Sequence, residues 1–401
     1  MVALLSAAIA GGCASLVPRN GLPEGAIVEK AVVADNPGVR YFADHVPHDL
    51  AEEMRRRLPS LTRLSTSGTT ADGRPIVDIL ALSGGGSDGA FGAGLLAGWS
   101  ARGDRPKFDV VTGVSAGAII APFAFLGSGY DKELREIWTQ YETSELVVSK
   151  IVPGLLGGPA LSDTAPLRAL IEKYVDRRLL SGIAREYGRG RILLIGTTNL
   201  DAQRPVVWNM GEIALRASRG DKSAAALFRD VILASAAIPG AFPPVSVKVE
   251  VDGKSYEEMH VDGGVMREVF VSPVEVPYAA FDRFYGSAKK PLRRIFVVKN
   301  GKLVPEYTVV PAKAVSIAAR SIATLIKAQH RADIYRIYRL SRDDSAEFRL
   351  AAVPPAFNVK AKEAFDPAYL EALFEEGFKF GRIGTGWMRA PPELAVTRGP
   401  H

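Results

Sequence analysis

The chain has one cysteine, Cys13, in 401 residues. An intramolecular disulfide is therefore impossible, and a metal site built on a cysteine cluster is excluded. Histidine is scarce too, at five, which leaves few side chains that titrate near neutrality. There is no internal repeat or low-complexity tract, so solenoid and largely disordered architectures are set aside. Lys and Arg outnumber Asp and Glu by 50 to 44, a net charge of +6. The basic residues are scattered, with no basic run interleaved with aromatics of the kind that marks a nucleic-acid surface. The excess instead favours an anionic surface such as phospholipid. No nucleic-acid partner is expected.

Hydrophobic residues at 47% and charged residues at 23% can build an ordinary globular core. The length allows two domains or one large α/β domain. The first apolar run, "VALLSAAIAGG", is too short to span a bilayer and ends in small residues, as the h-region of a signal peptide does. It leads directly into Cys13, and "AGGC" resembles a bacterial lipobox, although Ala10 stands where leucine is usual. The expectation is an exported envelope protein anchored through a lipidated Cys13. Residues 1–20 are taken as leader and tether, and 21–74 as an N-terminal arm with one amphipathic helix at 48–58. From Pro75 the texture changes. Buried apolar runs alternate with glycine turns and helical periodicity, which describes a mainly parallel sheet with helices on its faces. Strands are predicted at 76–82, 108–112, 192–196 and 295–298, and helices at 90–101, 116–125, 224–235, 312–339 and 367–380. The segment 144–166 mixes Pro and Gly with apolar residues and is expected to be a lid or a buried connection.

Two glycine-rich motifs carry the chemistry. In "FDVVTGVSAGAIIAPF", a β-rich run ends in Gly113-Val114-Ser115-Ala116-Gly117 and a helical pattern begins. This is the GxSxG elbow, which holds a nucleophilic serine on a sharp strand-to-helix turn whose neighbours must be small. A helix starting at the serine also offers its positive end to an oxyanion. Upstream, "LALSGGGSDGAFGAG" spans residues 80–94. Gly84, Gly86 and Gly89 satisfy a dinucleotide-binding GxGxxG, and Asp104 or Asp109 would suit the ribose by spacing. That reading leaves the elbow unexplained. An attacking Ser115 needs uncrowded backbone N–H donors, and Gly84, Gly85 and Gly86 after a strand can supply an oxyanion hole. A third motif, "HVDGGV", places Asp262 before Gly263 and Gly264.

The three motifs in this order resemble the patatin-like phospholipase family, over roughly residues 75–300, a stretch of domain size. The resemblance implies a three-layer α/β/α sandwich with a mainly parallel central sheet. It also implies a Ser-Asp dyad with Ser115 as nucleophile and Asp262 as base, without histidine, metal or nucleotide cofactor. "ASAAIPGAFPPV", residues 234–245, resembles the segment that such proteins place beside the active site. Residues 301–401 are expected to be helical and to pack on the same domain. The implied substrate is a membrane phospholipid or other lipid ester, met at a membrane surface. The family usually has Arg or Lys where this chain has Asp88, and that aspartate is expected to serve the N-terminus of the following helix. Two alternatives stay open. The order Ser115, Asp262, His330 matches a Ser-His-Asp hydrolase, with His330 expected on a helix surface and His260 expected to point the same way as Asp262. A lipid-binding lipoprotein that has lost turnover is the other.

Overall fold

A computed structural model describes residues 19–23, 26–45, 68–146, 148–149, 162–272 and 289–392. The expected leader with Cys13, the helix expected at 48–58 and most of segment 144–166 lie outside the described residues. The strands are β1 (Val32–Val33), β2 (Arg40–Phe42), β3 (Ile76–Leu82), β4 (Val110–Gly113), β5 (Val148–Ser149), β6 (Ser162–Asp163), β7 (Ile192–Asn199), β8 (Arg204–Asn209), β9 (Val245–Val251), β10 (Lys254–Asp262), β11 (Leu292–Lys299) and β12 (Glu347–Ala352). The helices are α1 (Gly89–Arg102), α2 (Ala116–Leu126), α3 (Asp131–Thr139), α4 (Thr143–Leu146), α5 (Ala165–Tyr174), α6 (Arg177–Gly188), α7 (Met210–Ser218), α8 (Lys222–Ser235), α9 (Ala314–Asp343) and α10 (Pro367–Ile383).

All strands but the β5–β6 ribbon join one sheet, whose centre β7-β4-β3-β11-β12 is parallel. Covered on both faces, such strands are apolar almost throughout, and β3 is buried from Asp78 to Leu82. Leu80 and Leu82 point into a large core with α1, α2, α8 and α10, whereas Ile79 and Ala81 point into a smaller one with Ile334 and Ile337 of α9. Helices thus cover both faces, giving the three-layer sandwich. The sheet is extended by antiparallel strands, with β10, β9 and β1 on one path and β8 and β2 on a branch from β7. In β9 the sequence VSVKVEV buries every second residue, as a half-exposed antiparallel strand should. Asp252 and Gly253, both at positive φ, turn β9 into β10.

The C-terminal helix is seated by four glycines. A Cβ at Gly94 or Gly98 of α1 would lie 2.0 Å from the carbonyl oxygens of Phe374 and Phe378, respectively. Reciprocally, a Cβ at Gly377 or Gly381 of α10 would lie 2.1 Å from the carbonyl oxygens of Phe91 and Leu95. The i, i+4 glycines on each helix let the two backbones touch, which is the packing that small-xxx-small pairs permit.

Candidate active site

Strand topology brings the serine and aspartate motifs together. β8 pairs along one edge of β7 from Leu194 to Asn199, so β4 and β10 must share the other edge. β4 runs up that edge to Gly113, opposite Ile195, and β10 runs down it to Asp262, opposite Thr197. The two strands therefore meet end to end. Ser115, two residues past the end of β4, brings its hydroxyl to the side of the Asp262 carboxylate, which accepts the Gly264 N–H at 2.8 Å. Both side chains are buried. Burial raises the Asp262 pKa to about 6, against the lowering effect of the neighbouring Ser115 hydroxyl and the Gly264 N–H.

The elbow is strained and firmly held. Ser115 sits at φ 53°, ψ −122°, outside the conformations non-glycine residues prefer. Its N–H donates to Ser235 Oγ at 3.0 Å, and the Ser235 hydroxyl donates to the Gly196 carbonyl at 2.6 Å. Close approach explains the motif glycines. A Cβ at Gly113 would fall 2.4 Å from the Gly117 carbonyl oxygen, one at Gly117 2.2 Å from that of Leu82, and one at Gly263 2.6 Å from that of Gly196. A Cβ at Gly264 would meet the Glu268 carboxylate at 2.2 Å. Ser235, at the end of α8, was not among the expected site residues, although it lies within the segment 234–245 that pointed to the site. Ser235→Ala should leave the buried Ser115 N–H without an acceptor. We expect a loss of about 1–3 kcal/mol in urea unfolding and a fall in kcat beyond what the folded fraction explains.

Of the three glycines expected to form an oxyanion hole, Gly84 has its N–H turned to another acceptor. Its N–H donates to the Glu268 carbonyl at 3.3 Å. Gly85 and Gly86 line the cavity beside Ser115, at φ 157° and 57°. A Cβ at Gly85 would collide with the Asn300 carbonyl at 2.0 Å, so only glycine fits there. Asn300, just past β11, clamps the loop. Its amide donates to the Ser83 carbonyl at 2.7 Å and accepts the Gly92 N–H at 3.1 Å, while its own N–H donates to Ser83 Oγ at 3.0 Å. The acids suggested for a ribose are engaged elsewhere, Asp109 with the Asp78 N–H at 2.7 Å and Asp104 with Arg102 at 2.6 Å.

Residues 80–274, which take in the glycine loop, the elbow and Asp262, match the family model for patatin-like phospholipase. The chain contains a patatin-like phospholipase domain. No curated protein matches it. Among solved structures, the crystal structure of VipD from Legionella pneumophila is similar at 12% identity, covering 78% of this chain and 68% of that one with a TM-score of 0.36. A likeness at that score adds nothing to the assignment.

Within the patatin-like domain, Asp88 departs from its expected place. Its side chain makes no bond to the N-terminus of α1. It lines the cavity and accepts the Tyr369 hydroxyl at 2.5 Å, drawn there by Tyr369 on α10 and by the nearby ammonium of Lys299. Burial pushes its pKa up, against both partners. Glu268 is buried alongside, 3.7 Å from Lys299, and burial pushes its carboxyl up as well, with Asp262 and Asp333 adding repulsion. Because Asp88 faces the cavity, Asp88→Asn should raise the ratio of turnover on phosphatidylglycerol to turnover on an uncharged ester. An unchanged ratio would put the carboxylate beyond the substrate's reach.

The histidines stand apart from the dyad. His330 is not on the helix surface as expected but 3% exposed, where α9 turns its apolar face to the sheet. Among the described residues neither ring nitrogen has a hydrogen-bond partner, and burial pushes its pKa well down. His260 is also buried, bonding Thr197 Oγ1 at 3.0 Å and Glu258 at 3.3 Å, with Arg40 paired to the same glutamate. Among the described residues, no group of His, Cys, Asp and Glu is arranged to hold a metal.

Ser115 lies where two cavities meet. The wider, about 580 Å³, contains Gly85, Gly86, Asp88, Asp262 and Lys299 and is walled by α9. The narrower, about 60 Å³, is lined by apolar side chains such as Ile119, Trp138, Leu170 and Phe242.

Proposed function

We propose that the patatin-like domain is a lipid acyl hydrolase in which Ser115 is the nucleophile and Asp262 the general base. The observation that carries this reading is the placement of Ser115, on its strained elbow, and the buried Asp262 carboxylate side by side in one cavity. As Ser115 Oγ bonds to the acyl carbon, its proton passes to Asp262. The carbonyl oxygen becomes an oxyanion, facing the N–H groups of Gly85 and Gly86 and the N-terminal end of α2. Collapse of the tetrahedral species breaks the ester C–O bond, and the departing alcohol takes the proton from Asp262. Water then attacks the acyl-serine and gives a proton to Asp262. The second collapse releases the carboxylic acid and returns that proton to Ser115 Oγ. A general base contributes about 10²- to 10⁴-fold, and each well-placed oxyanion donor about 3–4 kcal/mol.

The substrate class follows from the family and from the largely apolar cavities beside Ser115. The leader and Cys13 point to the bacterial envelope membrane as the place of action. Incubation with mixed envelope lipids, followed by mass spectrometry of the products, tests the reaction. Free fatty acid supports a hydrolase, a new acylated acceptor would make the protein a transferase, and no change in any ester would favour a binding protein.

The buried base sets the pH dependence. Only ionised Asp262 can accept the serine proton, and its pKa is raised to about 6. kcat/KM on a soluble ester should therefore be level above about pH 7 and fall about tenfold per unit well below the pKa. A rate that stayed flat down to about pH 4.5, where the carboxyl would be protonated, contradicts this assignment.

A further inference from the structure

The exposed apolar residues of the molecule are not scattered. Among the described residues, seven of the eleven large apolar side chains left exposed fall between Val304 and Leu325, a concentration far beyond the isolated surface residues of ordinary proteins. They come from the loop before α9, where Tyr307 is 92% and Val309 74% exposed, and from the first turns of α9 itself, where Leu325 is 70% exposed. That half of α9 has two apolar sides. Val315, Ala319, Ile322 and Ile326, spaced at i, i+4, i+7 and i+11, wall the cavity that holds Ser115. Ile317 and Leu325 point elsewhere and are uncovered.

Charge accompanies this surface. Between residues 302 and 332 there are five basic residues, Lys302, Lys313, Arg320, Lys327 and Arg331, and one acid, Glu306. The last four basic residues recur at spacings of seven, seven and four, which sets them along one flank of the helix. Arg320 donates to the Glu306 carbonyl at 2.6 Å, and Lys327 donates to the Val304 carbonyl at 2.8 Å, which fixes the loop against the helix. Lys302 and Glu306 both line the cavity, so this surface is the rim of the cavity itself.

We propose that the loop 304–313 and the N-terminal half of α9 form the face that seats on an anionic phospholipid bilayer, placing the mouth of the Ser115 cavity against the lipid. An exposed aromatic and aliphatic stripe flanked by basic residues is how a segment lies in a membrane interface. It lies on the surface and does not span it, because no described helix is long and apolar enough to cross. A second copy of the chain fits less well, since a two-fold contact would bring two surfaces with the same positive excess together. The proposal rests on the lipid-hydrolase reading, and its test separates the two.

Flotation of the full chain with vesicles of mixed phosphatidylglycerol and phosphatidylcholine is compared with pure phosphatidylcholine vesicles, for wild type and for the pairs Ile317→Asp/Leu325→Asp and Tyr307→Asp/Val309→Asp. Wild type should prefer the mixed vesicles and lose affinity as salt rises. Each exposed pair should lower binding by about tenfold or more, with turnover of vesicle lipid falling alongside. Turnover of a water-soluble short-chain ester should stay within about twofold, because none of the four side chains lines the cavity. Variants that float and turn over vesicle lipid like wild type would overturn the proposal. Equal binding of wild type to both vesicle types would overturn its charge component, and a wild-type dimer that the variants dissociate would reassign the face to a second copy. A wild type that floats but hydrolyses no soluble ester would instead sink the hydrolase reading.

Discussion

Asp262→Asn is expected to lower kcat on a soluble ester by about 10³-fold or more, and Ser115→Ala by about 10⁴-fold or more, with the fold retained in both. The asparagine keeps the size of the aspartate and can keep the Gly264 hydrogen bond, but it cannot take a proton from Ser115 at any working pH. The serine variant removes the oxygen proposed to form the acyl-enzyme. The histidines should behave differently. His330→Ala removes a ring that bonds to nothing in the described structure and should retain most of kcat. His260→Ala disturbs the pairing of Arg40 with Glu258, so its effect should appear in stability more than in kcat per folded molecule. Steady-state kinetics on the four variants, each checked by circular dichroism, distinguish the dyad from a triad.

Gly94→Ala should destabilise the molecule by about 3 kcal/mol. The added carbon would lie 2.0 Å from the Phe374 carbonyl oxygen, a backbone atom in the middle of α10 that cannot rotate away. The helices must separate along their whole contact, and the burial of Phe91, Leu373 and Phe374 between them suffers with it. Gly377→Ala, at 2.1 Å from the Phe91 carbonyl, should behave alike. Gly188→Ala is the control, because a Cβ there meets nothing within 4 Å and the residue is helical. It should be neutral or slightly stabilising. Urea unfolding of the three variants reads the difference. Because α10 also carries Tyr369, loosening it should release the Asp88 carboxylate and alter the ratio of anionic to neutral substrate turnover.

The parts of this site that could be foreseen are those fixed by local chemistry. The elbow around Ser115 demands small neighbours, Asp262 stands in a motif of its own, and the central strands are apolar on both faces, so each leaves a signature within a few residues. What could not be foreseen depends on partners distant in sequence. Gly84 looks as good a donor as Gly85 until the Glu268 carbonyl takes its N–H. Asp88 reads as a helix-start acid until Tyr369 and Lys299 draw it into the cavity. His330 lies in a helical pattern whose exposed first half hides the fact that its second half packs on the sheet. The antiparallel strand β9 was absent from the expected set because a half-buried strand carries a weaker apolar signal than a buried one. Ser235 and Asn300 give no sign of their roles, since what matters is which backbone atoms they reach.

The central claim is that a serine and an aspartate suffice. Labelling with a fluorophosphonate, followed by peptide mapping, tests it most directly, because the probe reports both which oxygen is nucleophilic and how strongly it is activated. The predicted result is a single adduct on Ser115 whose rate of formation falls steeply in Asp262→Asn and is unchanged in His330→Ala. An adduct on another residue, or a rate that survives loss of Asp262 but collapses on loss of His330, would contradict the dyad.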